Sequence, residues 1–156
     1  MRQLEKYALL FVRVYFGAFN LASGINFFFH AWPQPVPDDP VGRAYMNVTL
    51  ELGLFQLAKA LEILGGLCLV TDFCVPLGLA LLAPVTITIF VMNVFFSPLI
   101  HVVISGARNL VFHGLLVAAY FGHFRGLLKV SASPAPLWRA ATYGSDYAPQ
   151  GGSRHG

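Results

Sequence analysis

Apolar residues run along this chain in four long blocks, about Tyr7–Phe29, Leu54–Phe73, Pro76–Phe96 and His101–Phe124. Each is close to the 20 or so largely apolar residues that an α-helix needs to cross the hydrocarbon core of a bilayer. No long stretch alternates apolar and polar residues as a barrel strand does, so the pattern predicts an all-α chain. The first block is long enough to span, and no A-x-A-like cleavage site follows it. It reads as a retained helix rather than a signal peptide. Only a few residues join spans two and three, and spans three and four, which forces antiparallel neighbours. The expected fold is an integral membrane antiparallel four-helix bundle.

The connections carry their own signals. In Thr71–Pro76 the proline is well placed to begin a helix, and Ser97–Pro98 marks the next turn. Pro84, inside span three, is expected to kink it, which membrane helices tolerate when neighbours satisfy the freed carbonyl. The segment 30–53 opens with AWPQPVPDDP, whose prolines favour a stiff extended path, with Trp32 as an interfacial anchor. Val41–Leu52 then predicts a short outer amphipathic helix capping the bundle. Its apolar face is Val41, Tyr45, Val48 and Leu52, with Arg43, Asn47 and Glu51 opposite. The remaining 130–156 form an extended C-terminal tail rich in Ser, Pro and Gly. Alone such a tail is expected to be disordered, and it is expected to take up order against other membrane protein subunits.

Composition agrees with the pattern. The 156 residues are 56% hydrophobic and 11% charged, with a mean hydropathy of +0.65, against roughly 25% charged in a soluble domain. The net charge of +3 comes mainly from the chain ends: Arg2 and Lys6 precede the first span, and Arg125, Lys129, Arg139 and Arg154 follow the last. By the positive-inside rule both termini are expected to be cytoplasmic, most simply in a bacterial inner membrane. Arg108, near the outer end of span four, counts slightly against that orientation. These sparse, span-flanking cations do not suggest a nucleic-acid partner; the evident partner is the lipid bilayer. Cys68 and Cys74 form no CxxC and are expected to be free thiols.

The polar residues inside the apolar blocks need a reason, because an ionisable group at bilayer depth costs at least a few kcal/mol unless it is paired or faces a cavity. They fall in stripes. Arg13, Gly17, Asn20 and Gly24 share one face of span one, and Lys59, Glu62 and Gly66 one face of span two. Thr86, Asn93 and Ser97 line up in span three, and Asn109, His113 and Tyr120 in span four. Small residues allow helices to approach closely and polar ones bond across them, so the stripes should face inward. Counting depth at about 1.5 Å per residue from the expected span ends brings Arg13 within reach of Glu62 as an ion pair. Arg13, Asn20, Lys59, Glu62, Asn93, Asn109 and His113 are the candidate ligand-binding set.

Two readings stay open. The stripes knit the bundle together, or they line a small midplane pocket that binds a ligand or quinone head group or passes protons. His113, followed by Gly114, could ligate the metal of a haem or a chlorophyll-type pigment through neutral imidazole. His30 and His101, both at outer span ends, could pair across such a group, but no spacing demands it. There is no phosphate-binding glycine loop, HExxH or nucleophile elbow, so no residue is assigned as catalytic.

The stretch from Gly24 to Pro98 resembles the DoxX and DoxX-like family of small four-helix membrane proteins. The pieces that carry the resemblance are Arg13 with Gly17, S-G-I-N at 23–26, L-A-K-A-L-E-I-L-G-G at 57–66, and V-P-L-G-L-A-L-L-A-P-V at 75–85. Span four and the tail match only in hydrophobicity. Family members often have Lys where this chain has Phe27, and Asn and His where it has Thr88 and Asn93. The resemblance implies a redox-associated membrane subunit and supplies no catalytic residue. Three functions are therefore expected in order: an accessory or structural subunit of a larger, redox or energy-converting membrane complex; a quinone-handling oxidoreductase subunit; and a small transporter or proton-conducting bundle using Glu62.

Overall fold

A computed structural model describes residues 2–33, 36–37 and 39–124. Among them there are helices and connections and no strand: α1 (Arg2–Phe29), α2 (Pro40–Glu51), α3 (Leu54–Thr71), α4 (Val75–Phe95), α5 (Ile100–Ala119) and the single turn α6 (Phe121–Phe124). The all-α expectation holds. Four of these helices, α1, α3, α4 and α5, are long and apolar enough to cross a membrane. The tail 130–156, and any partner it meets, lies outside the described residues.

Local chemistry sets the helix ends. Asp39 caps α2, its carboxylate accepting from the backbone N–H groups of Val41 (2.8 Å) and Gly42 (3.2 Å), and Pro40 opens the first turn. Gly53 takes a positive φ of 74° between α2 and α3, a conformation open to glycine at no steric cost. The α3–α4 turn is sharp, with Asp72 and Cys74 both in the left-handed region. Pro76 then opens α4. Pro84 lies inside α4, which nevertheless continues unbroken to Phe95. The last apolar block is not a single helix: α5 ends at Ala119 and α6 follows Tyr120.

The four long helices form an antiparallel ring in which α1 packs on α3, α3 on α4, α4 on α5 and α5 on α1. Glycine permits the closest contacts. A Cβ on Gly66 would lie 2.7 Å from the Gly17 carbonyl oxygen, and one on Gly24 2.7 Å from the Lys59 carbonyl oxygen. Real Cβ atoms do not approach backbone that closely, so these backbones meet only because the side chains are absent. Gly65 and Gly78 do the same for α3 and α4, and Gly106 lets α5 settle against Asn93 of α4.

The interior is unusual in kind. An apolar cluster of Phe16, Leu69, Val75, Leu79, Leu82 and Leu116 is buried, but so are Arg13, Asn20, Asn26, Lys59, Glu62, Thr86, Asn109 and His113. Large apolar side chains instead cover the outside of every long helix, among them Phe11, Leu64, Ile87 and Val111. This distribution reverses that of a soluble bundle and suits a hydrocarbon surround. The helix α2 lies against α3. Gly42 and Thr49 are its buried residues, while Val41, Tyr45, Val48 and Leu52 are exposed.

Candidate functional site

The polar stripes do face inward, and they resolve into separate small units rather than one pocket. The first joins α3 to α1. Lys59 and Glu62 stand one turn apart on α3, and the ammonium reaches both carboxylate oxygens at 2.8 and 3.0 Å. It also donates to Ser23 Oγ of α1 at 2.9 Å and lies 5.4 Å from the centre of the Phe55 ring. Glu62 is 2% exposed and Lys59 8%. Both charges are therefore neutralised by a neighbour on the same helix, and the ammonium is further satisfied by a hydroxyl and a ring face.

Arg13 does not pair with Glu62. Its guanidinium binds Asp72 in the α3–α4 turn and donates to the Tyr120 hydroxyl at 3.0 Å. The cause is helix register. Gly17 backs onto Gly66, Leu69 and Val70, and Gly24 onto Lys59 and Ile63, which sets Arg13 opposite Asp72 and Lys59 opposite Ser23. Asp72 is ten residues from Glu62, about 15 Å along α3. The expected depths took Tyr7 as the start of span one, but α1 begins at Arg2, so the apolar boundary does not mark the level at which the helices meet. Asp72 was absent from the candidate set. Its one sequence signal was a lone carboxylate in a short turn between two apolar blocks.

The third unit lies between α4 and α5. Thr86 Oγ1 and His113 Nδ1 are 2.9 Å apart, and the imidazole meets Phe16 of α1 edge-on at 5.5 Å. Asn109, one turn from His113, is buried with no partner for its side-chain nitrogen. Asn20 bonds back to the Phe16 carbonyl of its own helix at 2.8 Å rather than across the bundle. Asn93 is half-buried against Gly106. Asn26 was not a candidate, yet it is buried. Its amide donates to the Trp32 carbonyl at 3.0 Å and accepts from the Trp32 N–H at 2.8 Å, pinning the chain as it leaves α1.

His30 and His101 sit apart from these units. His30 is exposed with a φ of 54° just beyond α1, and His101 is exposed in the first turn of α5. Among the described residues no three His, Cys, Asp or Glu side chains gather as a metal site. Clefts form elsewhere: one of about 430 Å³ is lined by Asp39, Pro40 and Phe95–Pro98, and one of about 230 Å³ by Tyr45, Ile87, Thr88, Val91 and Met92. Neither is lined by the buried polar residues. Cys68 and Cys74 are free thiols. Comparison with protein-family models, curated proteins and solved structures returns no match.

Proposed function

We propose that this chain is an integral membrane, non-catalytic subunit of a larger, redox-associated membrane complex, of the kind the DoxX-like resemblance implies. The observation that carries this reading is the Lys59–Glu62–Ser23 unit. The carboxylate most deeply placed in an apolar helix is held by an ammonium three residues away on the same helix. Arg13 is likewise committed to Asp72 and Tyr120. These charges lock α1, α3 and α5 to one another, which is a structural use of polarity. The basic residues at the chain ends support the reading that both termini are cytoplasmic, in a bacterial inner membrane. The exposed apolar residues of α2 suit contact with the bilayer interface.

Purification from native membrane in mild detergent tests this. The accessory reading expects the chain to leave the membrane in a stoichiometric complex with other membrane proteins. A stable lone chain that turns over a quinone overturns it.

One observation favours a second reading, a quinone-handling subunit. Asn109 carries a buried amide nitrogen without a partner, one turn from His113 on the same helix face. A quinone carbonyl is an acceptor that such a donor could bind. Under this reading Asn109→Leu abolishes quinone turnover by the assembled complex while leaving its composition unchanged.

A further inference from the structure

Arg108 is a charged side chain inside a membrane-length helix that the buried ion pairs do not account for. The apolar block puts it near the outer end of span four; in the fold it lies eight residues after Ile100 and eleven before Ala119, within the middle turns of α5. Its guanidinium stands 5.7 Å from the centre of the Tyr15 ring and 5.9 Å from that of Phe19, both on α1. Along α1, Tyr15 is about 12 Å from Tyr7 and Phe19 about 15 Å from Phe29, the nearer ends of the apolar block. Its other contact is a long 3.4 Å donation to Ser105 Oγ on its own helix. Among the described residues no carboxylate lies within ion-pair distance of it. The surrounding face is apolar and outward: Ile104, Val111 and Leu115 flank Arg108 at helical spacing on α5, and Phe11 stacks on Tyr15 beside it on α1.

A guanidinium keeps its charge in any protein environment. Two aromatic faces supply cation–π attraction and one hydroxyl a long hydrogen bond, but nothing here supplies an opposite charge. Held beside Tyr15 and Phe19, the group is near the middle of a hydrocarbon core about 30 Å thick, out of line with lipid phosphates at either surface. A second copy of this chain does not supply the missing charge either. Glu62 is the one carboxylate well inside an apolar block and is held by Lys59, while Glu5, Asp38, Asp39, Glu51 and Asp72 lie at span ends or in connections and Asp146 in the tail.

We propose that the α1/α5 face around Arg108 docks a membrane-spanning helix of a different protein that presents an aspartate or glutamate at the level of Tyr15–Phe19. This rests on the accessory-subunit reading and names the chemistry of the partner. The carboxylate would complete a bidentate pair with the guanidinium in a low-dielectric seam, where breaking such a pair is costly. The apolar side chains around it would exclude lipid and fix the crossing.

The test uses the full chain in its native membrane, with a photo-reactive residue at Phe11 or Val111 on this face and, separately, at Leu64 or Ile87 on other faces. The proposal expects a protein adduct from positions 11 and 111 that drops at least tenfold in Arg108→Leu and survives in Arg108→Lys. Arg108→Leu should leave the thermal stability of the isolated chain unchanged or higher, so loss of the adduct reads docking rather than folding. The deciding arm is charge exchange: Arg108→Glu loses the adduct, and lysine in place of the partner's mid-span carboxylate restores it. Protein adducts from positions 64 or 87 alone overturn this proposal while leaving the accessory reading intact. No protein adduct from any position, with a monomer in mild detergent, overturns both. An Arg108-dependent adduct with a lipid or lipophilic small molecule, or a protein adduct indifferent to Arg108, also overturns the docking proposal.

Discussion

Lys59 Nζ lies 2.8 Å from Glu62 Oε2, with both side chains almost completely buried one turn apart on α3. The pair is the most deeply placed pair of opposite charges among the described residues, and each partner makes the other tolerable. Glu62→Gln leaves a buried ammonium with only Ser23 and the Phe55 ring. Breaking a buried ion pair from one side costs about 3–5 kcal/mol. Thermal unfolding in detergent should therefore show a large loss for Glu62→Gln, much of it recovered in the double variant Lys59→Met/Glu62→Leu. A single variant as stable as the parent would show that the pair does not hold the bundle.

Asp72 provides the contrast. Its side chain is 63% exposed where it meets Arg13, and ion pairs open to solvent contribute about 0–1 kcal/mol. Asp72→Asn should change the same unfolding transition by no more than about 1 kcal/mol. A loss as large as that of Glu62→Gln would mean that the α3–α4 turn, not α3 itself, anchors the buried charges.

Gly66 and Gly114 separate close packing from helix propensity. A methyl at Gly66 runs into the backbone of Gly17 and Leu21 at 2.7 Å, whereas one at Gly114 meets nothing within 4 Å. Gly66→Ala should destabilise the bundle by about 1–3 kcal/mol as α1 and α3 are forced apart. Gly114→Ala should be neutral or stabilising, by up to about 1 kcal/mol. Equal effects in the two variants, read by thermal unfolding, would contradict the close α1–α3 contact.

Asn26 fixes the exit from α1 through its two hydrogen bonds to the Trp32 backbone. Asn26→Ala should cost about 1–3 kcal/mol, the range for stranding a buried polar group. It should also speed proteolysis of the segment just after Trp32 and amide exchange at Trp32. Exchange at the parent rate would show that this segment is held by something other than Asn26.

Thr86 and His113 are expected to couple weakly. Double-mutant cycles on hydrogen bonds between membrane helices average about 0.6 kcal/mol. A cycle of Thr86→Val and His113→Phe should return a value of that order. A coupling several times larger would point to a tighter role for this pair than cross-linking α4 to α5.

The sequence by itself determined the helices and their facing. Apolar runs long enough to span, separated by Ser97–Pro98 and by a turn ending in Pro76, leave the chain no economical structure other than antiparallel helices, because each backbone must satisfy itself within its own segment. Polar and small residues repeating at helical spacing likewise showed which face of α1, α3 and α5 turns inward. Pairing between helices was decided only by the tertiary structure. Hydropathy locates a span to within a turn or so, while an ion pair needs register to a fraction of a turn. That register comes from glycine backbones in contact, Gly17 on Gly66 and Gly24 on Lys59. It moved Arg13 from Glu62 to Asp72, left Glu62 to Lys59, and brought Arg108 beside Tyr15 and Phe19 without a carboxylate. Periodicity along one helix carries no information about the sliding of its neighbour; only the packed interface does.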